Sequence, residues 1–354
     1  MRHVCYFERL LDAALFARTL IRDGDIALTR IDREMSDAAV TDALSRVHGY
    51  HTRGGRSLIP AHFVIDRDFI ARCPNLLAVC TGGAGYDSID VEDCSEAGIL
   101  VANQAGLNAQ AVAEHAIAMM LCLTKKIAQV NQALRRDPDL DRFAFRNDDM
   151  FGQTLGIVGL GQIGARVAGI CKTAFGMTVL ATHPRLTPEQ AAQRNASLTA
   201  FPELLEKADF VLVSCGLNDE TSGMFGAAEF ARMKPGAYFI TIGRGGIHDE
   251  DALARALQAG QLAGAGLDVW MQEPPPIDHP LLAFENVLAS PHIAALTHQS
   301  AQKAMKGAAV QWRQILNGEF PPRCVNPKVW PKFAERFEAI MGRPAARPET
   351  PVGR

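Results

Sequence analysis

Residues 154–164, TLGIVGLGQIG, join an apolar run to three glycines with the spacing G-x-G-x-x-G. The run at 155–158 has the length and β-branched content of a buried strand, and apolar residues then recur at helical spacing. Gly159 permits a tight turn, Gly161 leaves no Cβ between backbone and ligand, and Gly164 allows helix and strand to pack closely. The N–H groups at such a helix start suit a pyrophosphate. The stretch therefore predicts a dinucleotide-binding turn, the alternative being a βα turn without a ligand.

Length, composition and charge narrow the classes to which the chain can belong. It has 354 residues, 48% of them hydrophobic, which is ample for the buried cores of two domains. A net charge of -3 argues against a nucleic-acid surface. The longest apolar stretch, 109–123, contains Glu114 and His115 and is too short to span a bilayer. Eight cysteines without a C-x-x-C pair, and no secretory signal, favour a reducing cytoplasm. We expect a cytoplasmic protein without metal, membrane or nucleic acid.

The first hundred residues alternate helical and extended patterns and predict a small α/β unit. Its predicted elements are helices at 10–22 and 37–47 and strands at 26–31, near Tyr50, at 76–80 and at 101–103. Residues 81–87, TGGAGYD, form a glycine loop after a strand, and the amide groups of such a loop suit a carboxylate. Arg53, in another glycine loop, is a weaker candidate for an anion site. A helix at 109–130 is apolar on more than one side, so we expect a subunit contact there, with burial inside one chain as the alternative.

The chain from residue 178 onward continues to alternate strands and helices. Predicted strands lie at 178–182, 210–213, 238–242, 265–269 and 287–289, and a helix follows at 296–317. Strands separated by helices form a parallel sheet with helices on both faces. Ligands of such sheets bind beyond the carboxyl ends of the strands. Arg244, Glu273 and His292 each come just after a predicted strand, so the topology brings them to one edge of the sheet.

These three residue types together suit the chemistry of a 2-keto acid. An arginine holds the carboxylate and polarises the adjacent carbonyl, through a charge-assisted bond worth roughly 1.5–3 kcal/mol. A histidine gives or takes the proton of the hydroxyl group. A carboxylate beside an imidazole favours the protonated ring, and Glu273 would supply it for His292. Taken singly, such residues are more often surface charges or structural histidines.

The order and spacing of the motifs resemble the D-isomer-specific 2-hydroxyacid dehydrogenases, which include D-lactate, D-glycerate/glyoxylate and 3-phosphoglycerate dehydrogenases. The motifs are GxGxxG at 159–164, RGG at 244–246, LDV at 267–269 with Glu273-Pro274, and PHI at 291–293. The resemblance is strong between residues 76 and 298 and weak before them. It implies two α/β domains, a Rossmann-type doubly wound parallel sheet inserted into a flavodoxin-like substrate domain, with a cleft that closes during turnover.

The resemblance also implies a role for individual residues. Arg244 would bind and polarise the substrate, His292 would be the acid/base, and Glu273 would tune His292. The substrate carboxylate would be received by a backbone loop made of Gly83, Ala84 and Gly85. The residues expected to bind NAD or NADP are Gly159, Gly161, Gln162, Ile163, Gly164, His183, Arg185, Cys215, Gly216, Ile242, Gly243 and Asp268, the last through the nicotinamide carboxamide.

Departures from the family pattern bear on the cofactor and the substrate. Where the family usually has Asp after the second strand of the cofactor domain, the chain has His183, Pro184 and Arg185. The carboxylate that accepts the ribose 2′-hydroxyl is therefore missing, and Arg185 suits a 2′-phosphate, so NAD and NADP both stay open. Thr81 stands where phosphoglycerate enzymes tend to carry arginine, which favours a non-phosphorylated acid.

The predicted function is therefore D-specific hydride transfer between NAD(P) and a small 2-hydroxy or 2-keto acid, such as glyoxylate or hydroxypyruvate, by a homodimeric oxidoreductase. Two alternatives stay open: a formate- or phosphite-type dehydrogenase of the same fold, and an NAD-sensing scaffold similar to a corepressor. We expect residues 1–103 and 296–342 to form the substrate domain and 104–295 the NAD(P)-binding domain. Residues 343–354, rich in arginine and proline, are predicted to be a disordered tail.

Overall fold

The computed structural model describes residues 1–22 and 24–346, without the side chain of Ser57. The chain forms two compact units. Unit 1 consists of Met1–Asn108 and Leu296–Arg354, whose last eight residues lie outside the described part, and unit 2 is Ala109–Ala295. Unit 2 is therefore inserted into the sequence of unit 1.

Unit 1 is built on a five-stranded parallel sheet with the strand order β2-β1-β3-β4-β5, the flavodoxin order. Its strands are β1 Arg2–Phe7, β2 Ile26–Ile31, β3 Gly49–Thr52, β4 Ala78–Thr81 and β5 Leu100–Ala102. The helices between them are α1 Ala13–Leu20, α2 Asp37–Ser45, α3 Arg67–Ala71 and α4 Val91–Glu96. Neighbouring strand residues such as Val4 and Cys5 enter two different apolar cores, because successive side chains point to opposite faces of the sheet.

Unit 2 contains a seven-stranded parallel sheet with the order β12-β11-β10-β9-β6-β7-β8. Its helices are α5 Ala109–Thr124, α6 Ile127–Ala133, α7 Gln162–Phe175, α8 Pro188–Gln193, α9 Phe201–Lys207, α10 Ala227–Arg232 and α11 Glu250–Gln258. Its strands are β6 Thr154–Val158, β7 Thr178–Thr182, β8 Ser197–Leu198, β9 Phe210–Val213, β10 Ala237–Thr241, β11 Leu262–Leu267 and β12 Val287–Ala289. The strand order reverses between β6 and β9, as in a doubly wound dinucleotide-binding sheet, so the predicted fold class is confirmed.

The chain returns to unit 1 through two helices, α12 His298–Leu316 and α13 Trp330–Met341. Helix α12 packs on α1 and buries Trp312 completely in the core beneath the sheet. Residues 343–346, predicted to begin a disordered tail, instead follow α13 in a defined position. The Arg343 side chain donates to the Asn317 carbonyl, and the Ala346 N–H donates to the Gly318 carbonyl at 2.8 Å. The remainder of the predicted tail, 347–354, lies outside the described residues.

The long helix predicted at 109–130 is interrupted. Helix α5 ends at Thr124 and α6 begins at Ile127, because Lys126 between them has a left-handed backbone with φ of 52°. Apolar residues resume at Ile127 with the same helical spacing, so the sequence pattern did not indicate the break. Ten residues of α5 are buried and it packs on α7, β10 and β11, whereas α6 has no buried residue. Most of the apolar surface of α5 is therefore used within unit 2.

The first crossing between the units also lies later than the predicted boundary at residue 103. The Asn103 N–H donates to the Arg323 carbonyl and the Gln104 N–H to the Gly83 carbonyl, and these bonds hold both residues in unit 1. No helix in the described ranges is long and apolar enough to cross a lipid bilayer. Nor do the described residues contain a group of three or more His, Cys, Asp or Glu side chains placed to hold a metal ion.

Candidate active site

The glycine turn after β6 lies where the strand order of unit 2 reverses. Gly159 has φ of 98°, and a Cβ there would come within 2.7 Å of the Cys215 nitrogen, so this position requires glycine. The Ser214 hydroxyl donates to the Gly159 carbonyl at 2.8 Å and joins the ends of β6 and β9. At Gly161 a Cβ would meet no atom within 4 Å, which leaves the start of α7 open to a ligand.

A pocket of about 440 Å³ opens at this turn, within the usual range for a small-molecule site. Its lining includes the predicted cofactor residues Gly159, Gly161, His183, Arg185, Cys215 and Gly216. Burial raises the pKa of the Cys215 thiol to about 11, so the sulfur lines the pocket as a neutral group. The bare backbone at Gly161 and the volume of the pocket fit the adenosine and pyrophosphate of a dinucleotide.

Other predicted cofactor residues frame this pocket without lining it. Gln162 and Ile163 begin α7, and Gly164 lies so close to the Gly159 carbonyl that a Cβ would be 2.6 Å from its oxygen. Ile242 and Gly243 follow β10, where a Cβ on Gly243 would come within 2.6 Å of the Cys215 carbonyl oxygen. The loop after β10 therefore packs on the loop after β9.

His183 directly follows β7 and lines the pocket in a cationic environment. Burial, together with the charges of Arg185 and Arg194, lowers the pKa of His183 below its ordinary value of 6.5. Its Nδ1 accepts the Arg185 N–H at 3.2 Å, so the neutral ring carries its proton on Nε2. The lining of the pocket also includes Glu220, whose side chain is exposed. The family's usual aspartate is thus replaced by a donor flanked by two guanidinium groups.

The loop after β10 carries Arg244 and meets the loop after β11 backbone to backbone. A Cβ on Gly245 would overlap the carbonyl group of Trp270 and the nitrogen of Met271. The half-buried Arg244 side chain donates to the Gly243 carbonyl at 2.8 Å, and its charge helps to lower the pKa of Glu273. The contact at Gly245 therefore sets the position of Arg244 relative to Glu273.

Glu273 and His292 form a hydrogen-bonded pair between the loops after β11 and β12. His292 Nδ1 lies 2.7 Å from Glu273 Oε2, and Glu273 Oε1 accepts the Trp270 N–H at 3.2 Å. Burial acts to raise the pKa of Glu273. The hydrogen bond and charge of His292, the Trp270 N–H and the Arg244 charge outweigh it, so the pKa of Glu273 falls below 4.5. The carboxylate stays ionised near neutral pH. It holds the imidazole through Nδ1, so Nε2 is the ring nitrogen outside this hydrogen bond.

Asp268 follows β11 and is buried in unit 2. It is 1% exposed, and its carboxyl group accepts the Ser290 hydroxyl at 2.7 Å and the N–H groups of Ile293 and Ala294 at 2.8 and 3.0 Å. Contact between Asp268 and the nicotinamide carboxamide stays a prediction, and three hydrogen bonds within unit 2 hold the carboxyl group. His115 of α5, which the sequence gave no reason to select, lies 3.0 Å from the Ser290 hydroxyl through Nε2.

The predicted substrate loop lies in unit 1 after β4. Within the described part of the chain, the N–H groups of Gly83, Ala84 and Gly85 donate no hydrogen bond, while the Gly83 and Ala84 carbonyls accept from Gln104 and Asn103. The loop thus presents amide donors on a fixed backbone. His51, missed from the sequence, is buried beside it.

His51 contributes a second donor near this loop. Its Nδ1 accepts the Trp312 indole N–H at 3.2 Å, so the neutral ring carries its proton on Nε2. That nitrogen has no partner among the described residues and would lie 3.4 Å from a Cβ on Gly82. Burial lowers the pKa of His51 to about 4, so the ring is neutral at pH 7.

Comparison with known proteins agrees with this arrangement. Residues 117–294, nearly all of unit 2, match the family profile described as D-isomer specific 2-hydroxyacid dehydrogenase, NAD binding domain. The chain belongs to this family. The D-2-hydroxyacid dehydrogenases are oxidoreductases that act on CH–OH groups with a nicotinamide cofactor, and the matched residues include Arg244, Glu273 and His292.

Individual D-2-hydroxyacid dehydrogenases of two specificities are similar to the chain. D-3-phosphoglycerate dehydrogenase of Mycobacterium leprae is 37% identical over 76% of this chain, but the alignment spans only 50% of that protein. Glyoxylate/hydroxypyruvate reductase B of Pectobacterium carotovorum is 35% identical, over 81% of this chain and 88% of the reductase. The crystal structure of a glyoxylate reductase from Paecilomyes thermophila has a TM-score of 0.81 and 27% identity, and covers 92% of this chain and 99% of that one.

Proposed function

We propose that the protein reduces a small, non-phosphorylated 2-keto acid, such as glyoxylate or hydroxypyruvate, to the D-2-hydroxy acid. The observation that carries the proposal is the hydrogen-bonded pair of Glu273 and His292, whose carboxylate also experiences the Arg244 charge, in the NAD-binding unit. The reaction converts keto acid, reduced nucleotide and a proton into hydroxy acid and oxidised nucleotide. The nicotinamide, when bound, supplies the hydride that adds to C2.

His292 gives the proton that the new hydroxyl group requires. Its Nδ1–H is held by Glu273, so the proton exchanged with the substrate oxygen is the one on Nε2. The ionised Glu273 stabilises the imidazolium before transfer, as its lowered pKa indicates. In the reverse direction the neutral ring takes the proton from the hydroxyl group at the same nitrogen.

Arg244 binds the carboxylate of the acid and polarises its carbonyl oxygen. A guanidinium has donors spaced for two carboxylate oxygens, and a charge-assisted bond of this kind contributes roughly 1.5–3 kcal/mol. The overlap that any Cβ at Gly245 would cause shows how closely the Arg244 loop follows the Glu273 loop. This close packing supports one fixed position for the guanidinium.

Three side chains of unit 1 and one backbone loop support an acid without a phosphate group. Thr81, completely buried, donates its hydroxyl to the Gly83 carbonyl and carries no charge. His51 is neutral at pH 7, and Arg53 lies 3.8 Å from the Glu8 carboxylate, which offsets its charge. The three amide groups of the loop Gly83–Ala84–Gly85 suit one carboxylate, the group that every 2-keto acid shares.

NADPH is the cofactor that the pocket of unit 2 favours in this proposal. His183 replaces the carboxylate that would repel a 2′-phosphate, and Arg185 and Arg194 add positive charge next to it. Arginine suits phosphate because its donors form a planar fork. NADH fits the same pocket without this contribution, so we expect both cofactors to react and NADPH to bind more tightly.

The active form in this proposal is a homodimer that associates through α6 and the segment after it. Helix α6 buries none of its residues. Large apolar side chains nearby are exposed by 52–75%, namely Ile127, Leu134, Phe143 and Phe151. Large exposed apolar side chains are typical of protein interfaces where they form a continuous surface. Light scattering of the purified protein should give twice the mass of one chain, and Leu134→Glu with Phe151→Glu should give the mass of one.

Initial rates with a panel of acids test the proposal. Glyoxylate, hydroxypyruvate, pyruvate and phosphohydroxypyruvate are compared, each with NADH and NADPH, together with oxidation of formate and phosphite. We expect kcat/KM for glyoxylate or hydroxypyruvate to exceed that for phosphohydroxypyruvate by about tenfold or more. A preference for the phosphorylated acid, or turnover of formate or phosphite alone, contradicts it.

A further inference from the structure

His292 has an unusual backbone. Its φ is 56°, in the left-handed region that residues with a side chain seldom adopt. Such a conformation persists only where surrounding groups hold it in place. The side chain that exchanges a proton in the proposed reaction is therefore attached to a turn that needs support from its neighbours.

Asp268 holds the backbone directly after this turn. Its Oδ1 accepts the Ile293 N–H at 2.8 Å and its Oδ2 accepts the Ala294 N–H at 3.0 Å. Both oxygens thus bind consecutive amide groups, and a rigid, fully buried carboxyl group fixes the path of the chain that leaves His292. The direction of the imidazole follows from the position of this carboxyl group.

Ser290 holds Asp268 from the other side of His292. Its hydroxyl donates to Asp268 Oδ1 at 2.7 Å, and its carbonyl accepts the Trp270 indole N–H at 3.0 Å. One carboxyl group therefore joins residues on both sides of the left-handed turn. The indole bond fastens the same turn to the loop that carries Glu273.

His115 completes the chain from helix α5. Its Nε2 lies 3.0 Å from the Ser290 hydroxyl oxygen and 3.7 Å from Asp268 Oδ1. The serine hydroxyl has one proton, which goes to Asp268, so it accepts the proton on His115 Nε2. The order of donation is thus His115 to Ser290 to Asp268, and it anchors the His292 turn to a buried helix.

We propose that Ser290 and His115 are positioning residues for proton transfer by His292. They orient Asp268, and Asp268 sets the left-handed turn that keeps His292 Nδ1 on Glu273 and leaves Nε2 for the substrate. The proposal rests on the proposed function for its reaction, but the hydrogen-bonded chain itself does not depend on it. All of its members lie in unit 2.

The kinetic test uses Ser290→Ala and His115→Phe, with Ser290→Thr and His115→Gln as conservative variants that keep the hydroxyl and the Nε2 donor. With hydroxypyruvate and NADPH we expect Ser290→Ala to lower kcat about 10- to 100-fold, because a shift of about 1 Å costs that much, while KM for NADPH stays within about twofold. Ser290→Thr and His115→Gln should recover most of the loss. The primary deuterium isotope effect with deuterated NADPH should rise, because the chemical step becomes slower than product release.

The double variant Ser290→Ala/His115→Phe decides whether the two residues act in series. We expect its kcat to lie within about twofold of Ser290→Ala alone, since His115 acts only through the serine hydroxyl. Ser197→Ala on the exposed edge strand β8 and Glu114→Gln beside His115 are the matched controls and should keep wild-type rates. The proposal is overturned if the losses of kcat in the two single variants multiply in the double variant. It is also overturned if the variants raise KM and leave kcat unchanged.

Urea unfolding separates this proposal from the proposed function. A double-mutant cycle on the free energy of unfolding reports the coupling of Ser290 and His115 whether or not any keto acid reacts. If the cycle shows coupling but the wild-type protein reduces none of the acids, the hydrogen-bonded chain is established. The proposed function, and with it the kinetic role of the two residues, is then contradicted. Additive unfolding effects overturn the chain itself, even where the wild type is active.

Discussion

Gly245 lies directly on the peptide that joins Trp270 to Met271, with no room for a Cβ between the two backbones. This contact joins the loop of Arg244 to the loop of Glu273, whose side chain in turn holds His292 at 2.7 Å. The relative position of the three functional groups thus depends on a glycine that has no functional group of its own.

Gly245→Ala should lower kcat/KM about 100-fold or more, because the added methyl group must push the Arg244 loop away from the Glu273 loop. Gly246→Ala is the matched control, since a Cβ at Gly246 meets side-chain atoms only at 3.4 Å and beyond. We expect it to lose less than about threefold. Steady-state kinetics of both variants check the prediction, and equal losses would contradict it.

His292→Ala should lower turnover by roughly 10²–10⁴-fold with little change in cofactor affinity, because it removes the proton donor and no part of the nucleotide pocket. Fluorescence titration with NADPH measures the affinity. His62→Ala, at an exposed histidine of unit 1, is the control for loss of an imidazole. Unaltered turnover of His292→Ala would refute the acid/base role.

Glu273→Gln should shift the pH dependence of keto-acid reduction. Because the pKa of Glu273 lies below 4.5, its carboxylate is present throughout the range from pH 5 to pH 9 and favours the imidazolium at every pH in it. A neutral amide removes this charge, so the limb that falls with rising pH should move to lower pH. Glu250→Gln, which alters a separate carboxylate–histidine pair, with His279 at 3.1 Å, should leave the limb in place. A profile that does not move means that Glu273 does not tune His292.

Arg185→Ala should raise KM for NADPH about tenfold and KM for NADH less than about twofold, because only the former carries a 2′-phosphate for the guanidinium. Glu220→Gln in the lining of the same pocket should act in the other direction and lower KM for NADPH, since it removes a negative charge. Parallel initial rates with both cofactors measure the two effects. Equal changes for NADH and NADPH would mean that Arg185 faces solvent.

His248 should make the protein less stable in mild acid. Burial lowers the pKa of His248 to about 4 against the opposing charges of Glu250 and Asp249, and neither ring nitrogen has a partner in the described part of the chain. Between pH 6.5 and pH 4 the unfolded chain binds the proton that the folded one does not, so stability falls as pH falls through this window.

The variant His248→Phe keeps an aromatic ring beside Phe239 but cannot titrate. The loss of unfolding free energy between pH 7 and pH 5 should therefore be smaller than in the wild type by about 2 kcal/mol. Urea titrations at the two pH values measure this difference. A loss as large as that of the wild type would show that His248 is not responsible.

Local sequence predicted much of the fold where the pattern and the packing agree. The strands at 178–182, 210–213 and 287–289 were predicted with the bounds of β7, β9 and β12, because each is a short apolar run. The break at Lys126 was missed, since one residue with a left-handed backbone interrupts helical hydrogen bonding without changing the spacing of apolar residues. Apolar periodicity also could not predict that most of α5 is buried within unit 2.

In the candidate site, too, some residues were predicted from the sequence and others were found only in the structure. Arg244, Glu273 and His292 were selected because each follows a strand, and parallel strands end at one edge of their sheet. The partners of Asp268 were not predicted, because Ser290 and His115 are separated from each other by 175 residues and contain no motif. The hydrogen bond between Asp268 and Ser290 was therefore found only in the structure.

The sequence by itself determined the parallel sheets, the glycine turn and the edge at which charged residues collect, because these follow from local periodicity and from the alternation of strands and helices. Only the tertiary structure decided which polar groups meet. A hydrogen bond requires two atoms within about 3 Å, and no spacing along the chain specifies that distance between residues on different loops.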